Sequence, residues 1–235
     1  MPQRRGTVII AAMTRAPAFL ATCLALSVLP PAPATACDVA LLLSVDVSGS
    51  IDRGEYRLQV DGIADALADP EVADALLLGQ VALSVVQWSG TAKQTLSIPW
   101  RRMLSPSEIA DFAARARDLP RAYTGSDTAV GEAIAFSVQQ FDAVSDCRRK
   151  VIDISGDGPQ NAGFPLAPER AGAVAAGIEI NAIAIEDVGR SIPITEFYRR
   201  YVVTRDGFVI TARGLSDYPR AIREKILREV AKPLG

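Results

Sequence analysis

Histidine is absent from all 235 residues. That one absence excludes Ser-His-Asp and Cys-His catalysis, His-bound zinc and imidazole-based pH switching. Any chemistry falls to carboxylates, hydroxyls, amines or a metal held by oxygen. Charge of one sign is not concentrated either: 25 Lys and Arg stand against 27 Asp and Glu, for a formal net charge of −2. With no basic block, composition gives no sign of nucleic-acid binding. No internal repeat or low-complexity segment occurs, and 49% hydrophobic content excludes a disordered or fibrous chain.

What is there suits one domain with a sizeable core, preceded by a targeting segment. Arg4, Arg5 and Arg15 precede "APAFLATCLALSVLP", which is too short for a typical bilayer span, and "APATA" ends in Ala34-Thr35-Ala36. We expect residues 1–36 to be a signal peptide cleaved after Ala36, with Met13 as an alternative start. Its removal takes away three arginines and no acid, moving the formal charge from −2 to −5. No later stretch is apolar enough to span a membrane, so the product is expected in the periplasm or secreted.

Cys23 leaves with that segment, and Cys37 and Cys147 remain in an oxidising compartment. Cys37 stands nine residues before Asp46 and Cys147 ten before Asp157, each just ahead of an apolar strand. If those strands are parallel neighbours, the two sulfurs are within bridging reach. The competing fates are acylation of Cys37, although Ala34 replaces the usual lipobox leucine, and two free thiols.

From Asp38 onward, strands and helices alternate, predicting an α/β fold with a doubly wound, mostly parallel six-stranded sheet. "DVALLLSVD" reads as a buried strand. Tyr56, Val60, Ile63 and Leu67 share one face of the helix that follows. "QVALSVVQWS" and "KQTLSIPW", separated by "GTA", read as a hairpin, which puts one antiparallel strand at the edge. "SPSEIADFAARARDL" opens with a capping pattern. "TAVGEAIAFSVQQFDAV" is a helix with Val130, Ile134, Val138 and Phe141 facing inward. "KVIDIS", a helix near Pro168–Ala176, "IEINAIAIE" and "GFVITA" follow. "SDYPRAIREKILREVAKPL" closes the domain as a helix burying Ile222, Ile226 and Val230.

In such sheets ligands bind beyond the carboxyl ends of the strands, where strand order reverses. Asp46 and Asp157 stand at two such ends, and "TGSDTAVGEAI" sets Thr128 at the mouth of a helix. The set Asp46-Val-Ser48-Gly-Ser50, then Thr128, then Asp157-Gly158 resembles the metal-ion-dependent adhesion site of the von Willebrand factor A domain superfamily. The resemblance covers roughly Cys37 to Lys232. "CDVALLLSVDVSGSID" and "CRRKVIDISGDG" are similar to an exported bacterial branch of it with no assigned function. Val130 departs from the pattern, standing where a second Thr is common.

The resemblance implies an Mg²⁺ site, with Mn²⁺ or Ca²⁺ as alternatives. Ser48 and Ser50 would coordinate through their hydroxyls, Thr128 directly or through water, and Asp46 and Asp157 largely through bound water. One position stays open for a carboxylate from a partner protein, so the implied function is metal-dependent protein binding rather than catalysis. Taken singly, Asp and Ser after a strand are often only caps and turn formers; Ser126 and Asp127 are read so. Asp153, inside an apolar strand, needs a partner and is read as a structural pair or a support for the site.

The rival readings are a hydrolytic enzyme using the same oxygen-ligated metal and a structural module whose site has lost it. A haloacid dehalogenase-type phosphatase wants Asp at position 48, where Ser stands. "DVSGSI" lacks the glycines of a dinucleotide loop and "GDGPQN" has Asn161 where a third would stand; no Gly-x-Ser-x-Gly elbow or Walker loop occurs. Specificity is expected in "PQNAGFPLAPER" and "EDVGRSIPITEFYRRY".

Overall fold

Nine residues of "CDVALLLSVD" are buried and only Asp38 is half-buried. The strand is apolar without alternation because helices cover both its faces. The computed structural model describes residues 37–186 and 193–231, with Met1 and Gln3. The chain divides into two compact units, Met1–Ala34 and Thr35–Gly235, and every element below belongs to the second. The apolar stretch of the expected signal peptide, with Met13, Cys23 and the Ala36 cleavage point, lies outside the described residues.

Six strands form one sheet: β1 (Cys37–Asp46), β2 (Ala82–Trp88), β3 (Gln94–Arg102), β4 (Cys147–Gly156), β5 (Ile178–Glu186) and β6 (Val209–Arg213), in the order β3-β2-β1-β4-β5-β6. All neighbours run parallel except the β2–β3 hairpin. The expected doubly wound sheet and its antiparallel edge strand are therefore found. Pro99 sits within β3, a residue that cannot donate to a ladder and is tolerated on an edge.

Alternate residues of β1 feed two cores. Val39, Leu41, Leu43 and Val45 point to one, covered by α1 (Arg53–Ala68), α2 (Pro70–Leu78), α3 (Pro106–Arg117) and α7 (Tyr218–Val230). Ala40 and Leu42 point to the other, covered by α4 (Val130–Gln140), α5 (Leu166–Ala175) and α6 (Ile194–Phe197), which runs into a π-helical turn at Tyr198–Val202. Among the described residues no helix is long and apolar enough to cross a membrane.

The expected inward faces hold in α1, where Tyr56, Val60, Ile63 and Leu67 are all buried. A separate α2 was not expected, although Asp69 caps it, Pro70 opens it and Gly79 follows it. In α4, Val130 and Ile134 are buried but Val138 is only half so; Ser137 takes the inward place, its hydroxyl 3.4 Å from that of Ser44. Phe141, also buried, opens a 3₁₀ turn beyond the helix. In α7, Ile222 and Ile226 are buried while Val230 is half-buried. Lys225 and Glu229 are the unexpected inward residues, both fully buried.

They are buried because they satisfy each other and Asp153. Lys225 Nζ lies 2.7 Å from Asp153 Oδ1 and also meets Glu229 Oε1, while Asn181 Nδ2 donates to Glu229 at 3.0 Å. Asp153 thus has a structural partner. Burial raises the pKa of Asp153 and of Glu229, and Lys225 counteracts it in both.

Cys37 and Cys147 are register partners on β1 and β4, 4.5 Å apart at Cα, and form a disulfide. A bridged Cys37 has no thiol left to acylate.

Candidate metal centre

β1 and β4 are adjacent parallel strands on either side of the point where strand order reverses, so the residues following them share one end of the sheet. Asp46 ends β1, and Asp157 follows Gly156 at the end of β4. Asp46, Ser48 and Asp157 are 0%, 0% and 3% exposed. The Ser48 N–H donates to Asp46 Oδ1 at 2.7 Å, the Ser48 and Ser50 hydroxyls are 3.3 Å apart, and Ser50 donates to Asp157 Oδ1 at 2.7 Å. Four of the five expected ligands are therefore joined by one run of hydrogen bonds, from Asp46 through the Ser48 backbone N–H and the Ser48 and Ser50 hydroxyls to Asp157.

The first loop is pinned from below. Arg121 Nη2 donates to the carbonyls of Val47 and Ser48 at 2.9 and 2.8 Å, and Gln59 donates to the Asp46 carbonyl at 3.3 Å. The loop also docks on the Gly125–Thr128 segment: Gly49 N–H donates to Ser126 O at 2.7 Å. A Cβ at Gly49 would stand 3.0 Å from that oxygen, so the approach suits glycine.

Thr128 is 6% exposed. Its N–H donates to Asn161 Oδ1 at 2.8 Å and its carbonyl accepts from Asn161 N–H at 3.0 Å. Gln160 Oε1 accepts from Gly131 N–H at 2.7 Å. The third loop thus ties down the start of α4, which has no side-chain cap of its own. Val130, the departure from the family pattern, is fully buried; Asn161 and Gln160 supply the local hydrogen bonding. Asp127 is exposed. Asp153 points to the α7 side and pairs with Lys225.

Electrostatics at this end of the sheet favour a cation. Burial, then the negative charge of Asp157, push the Asp46 carboxyl up to about 7, against the hydrogen bonds from Ser48. Asp46 Oδ2 is buried with no hydrogen-bond partner. Among the described residues no cluster of three or more His, Cys, Asp or Glu side chains forms a metal site; this set is instead two carboxylates and three hydroxyls. Such all-oxygen donors fit a hard divalent cation of the Mg²⁺ class.

The model of a family described as "Protein of unknown function (DUF1194)" matches residues 36–234. The chain belongs to the DUF1194 family. No curated protein matches it in sequence. Solved structures similar to this DUF1194 chain include von Willebrand factor A domains. Proximal thread matrix protein 1 of the mussel byssus, solved with a zinc-occupied MIDAS motif, is 21% identical with a TM-score of 0.61, covering 83% of this chain and 48% of that one. A von Willebrand factor type A protein of Catenulispora acidiphila is 18% identical with a TM-score of 0.60, covering 84% and 44%. The corresponding domain of the type V pili tip protein Mfa5 from Porphyromonas gingivalis is 9% identical with a TM-score of 0.60, covering 83% and 95%. The chain spans about half the length of the mussel protein and less than half that of the Catenulispora acidiphila one. These likenesses give this chain the von Willebrand factor A fold.

Four residues at this DUF1194 centre were not picked out from the sequence: Arg121, Gln160, Asn161 and Tyr198. Gln160 and Asn161 lie in the "PQNAGFPLAPER" segment suspected for specificity. Of "EDVGRSIPITEFYRRY", residues 187–192 lie outside the described residues, but Tyr198 reaches the site. Its hydroxyl is buried, and burial with the charges of Asp46 and Asp157 pushes it well above the ordinary phenol range.

Proposed function

We propose that this protein is an exported, metal-dependent protein-binding domain. Asp46, Ser48, Ser50, Thr128 and Asp157 would hold Mg²⁺, and a carboxylate of a partner protein would take the remaining position. The observation that carries this reading is the buried Asp46 carboxylate beside Asp157, linked through Ser48 and Ser50 by one run of hydrogen bonds. Two carboxylates this close and this buried repel without a cation between them.

A bound divalent cation would neutralise both carboxylates and supply Lewis acidity toward an incoming carboxylate oxygen. The chain's own residues do the rest. Ser48 N–H orients Asp46, Arg121 fixes the loop backbone, and Asn161 and Gln160 hold Thr128 at the mouth of α4. Export is supported by the Cys37–Cys147 bridge and by the apolar segment that follows Arg4, Arg5 and Arg15 ahead of Ala36.

The test is calorimetric titration of Mg²⁺ and Mn²⁺ into the oxidised protein beside its Asp46→Ala variant. Saturable binding that the variant loses supports the site and justifies a metal-dependent pull-down of the partner. Metal affinity retained in the variant would sink it.

A further inference from the structure

Two polar atoms beside Gly156 are buried and bond to nothing: Asp46 Oδ2 and the Tyr198 hydroxyl. A Cβ built on Gly156 would stand 3.1 Å from the first and 2.2 Å from the second. They therefore both stand over Gly156, and the hydroxyl comes this close because position 156 carries no side chain. Buried polar groups are otherwise paired almost without exception, and an unpaired one calls for a cause.

Packing does not supply that cause. The Tyr198 ring belongs to the apolar core under α4 and α5, edge-on to Phe197 at 5.5 Å between centroids. A phenylalanine would fill the same volume without the stranded hydroxyl. Tyr198 also opens the π-helical turn Tyr198–Val202, an uncommon backbone form concentrated at functional sites.

We propose that Tyr198 is a positioning residue of the metal centre, its hydroxyl becoming the donor to Asp46 Oδ2 when the metal binds. This rests on the metal-binding reading above. The chemistry is complementary: Asp46 Oδ1 is held by Ser48 N–H at 2.7 Å, and Oδ2 needs a donor when the carboxylate is ionised. Supporting partners of this kind fix a ligand's orientation and commonly matter for affinity nearly as much as the ligand does. In a chain without histidine, a buried phenol is a donor available for the task.

The experiment compares the oxidised wild-type protein, Tyr198→Phe and Asp46→Ala. It uses Mn²⁺ calorimetry, metal-free melting and the near-ultraviolet tyrosine difference spectrum on adding Mn²⁺. Tyr198→Phe is expected to bind Mn²⁺ roughly ten- to a hundredfold more weakly, to melt no lower without metal, and to lose a tyrosine difference signal that the wild type shows. Equal affinity in wild type and Tyr198→Phe overturns this proposal and leaves the metal site standing. Weaker binding together with a lower metal-free melting temperature assigns the hydroxyl to the fold and overturns it as well. A wild type that binds no Mn²⁺ overturns the metal reading itself, and this proposal with it.

Discussion

The Ser50 hydroxyl donates to Asp157 Oδ1 at 2.7 Å across 107 residues of chain, closing the loop after β1 onto the loop after β4. Ser50 is solvent-exposed while Asp157 is buried, so the bond defines the outer rim of the candidate centre. Ser50→Ala removes both this tie and one proposed ligand. We expect metal affinity to fall at least tenfold, with stability changing by no more than about 1–2 kcal/mol. Calorimetry paired with thermal melting of the metal-free protein checks both; an unchanged affinity would remove Ser50 from the ligand set.

A proton and a metal compete for Asp46. Its folded-state pKa of about 7 lies above the ordinary 3.8, so between those values the folded protein holds a proton that the unfolded chain has released. The metal-free contribution of this group to stability is therefore full below about pH 4 and is lost as pH rises through about 7. Metal binding runs the other way, because it needs the ionised form. Affinity should rise by about tenfold per pH unit up to about 7 and level off above it. Mn²⁺ titrations at several pH values test this, and a flat profile between pH 5 and 7 would contradict it. The melting temperature of Asp46→Asn, compared with wild type without metal, isolates the stability half.

Gly156 and Tyr198 should be energetically coupled. A methyl group at position 156 would meet the Tyr198 hydroxyl at 2.2 Å, so Gly156→Ala is expected to destabilise the wild-type protein by roughly 1–3 kcal/mol. In a Tyr198→Phe background the nearest neighbours become Asp46 Oδ2 at 3.1 Å and the ring Cζ at 3.3 Å, contacts that small shifts relieve. A double-mutant cycle read by denaturant melts should show the Gly156→Ala penalty at least halved in that background; equal penalties would place the strain elsewhere.

These relationships show which parts of the protein its sequence makes legible. The β1 run and its closing Asp46-Val-Ser48-Gly-Ser50 are local, so strand, turn and ligand pattern appear within a dozen residues. The bridge was readable because Cys37 and Cys147 keep nearly the same distance from two strand ends. Lys225 and Glu229 were not, because a charge on an amphipathic helix ordinarily marks its wet face; only the buried Asp153 beneath α7 reverses that. Tyr198 was hidden for a different reason. It reaches Asp46 through tertiary packing and a π-helical turn, and no local periodicity signals either.

The disulfide offers a stability prediction independent of the metal. It joins β1 to β4 across a separation of 110 residues, so it constrains the unfolded chain strongly. Cys147→Ser should cost about 2–4 kcal/mol. It should leave Mg²⁺ affinity unchanged at temperatures where the protein stays folded, since the bridge and the ligands lie at opposite ends of the same two strands. Denaturant melts and calorimetry on the same sample separate the effects; thiols of Cys37 and Cys147 that react under denaturing, non-reducing conditions would refute the bridge.

Lys225 decides what Asp153 is for. Its ammonium is fully buried between Asp153 and Glu229, and removing one member of a buried ion cluster leaves the others uncompensated. Lys225→Met keeps the aliphatic length and should cost about 3–5 kcal/mol. The deficit should depend on pH in a definite direction. Both carboxyls have pKa values raised by burial, and without the lysine only the Asn181 hydrogen bond to Glu229 opposes that rise, so each takes up a proton more readily in the folded state. Protonation removes the stranded charge, so the variant should recover stability at pH 5 relative to pH 8. Neutralising the acids instead, with Asp153→Asn and Glu229→Gln in the Lys225→Met background, should restore part of the loss at pH 8. If Asp153 is purely structural, Mn²⁺ affinity in the folded Lys225→Met protein will match wild type; a tenfold or greater change would show that the buried cluster also tunes the charge at Asp46 and Asp157.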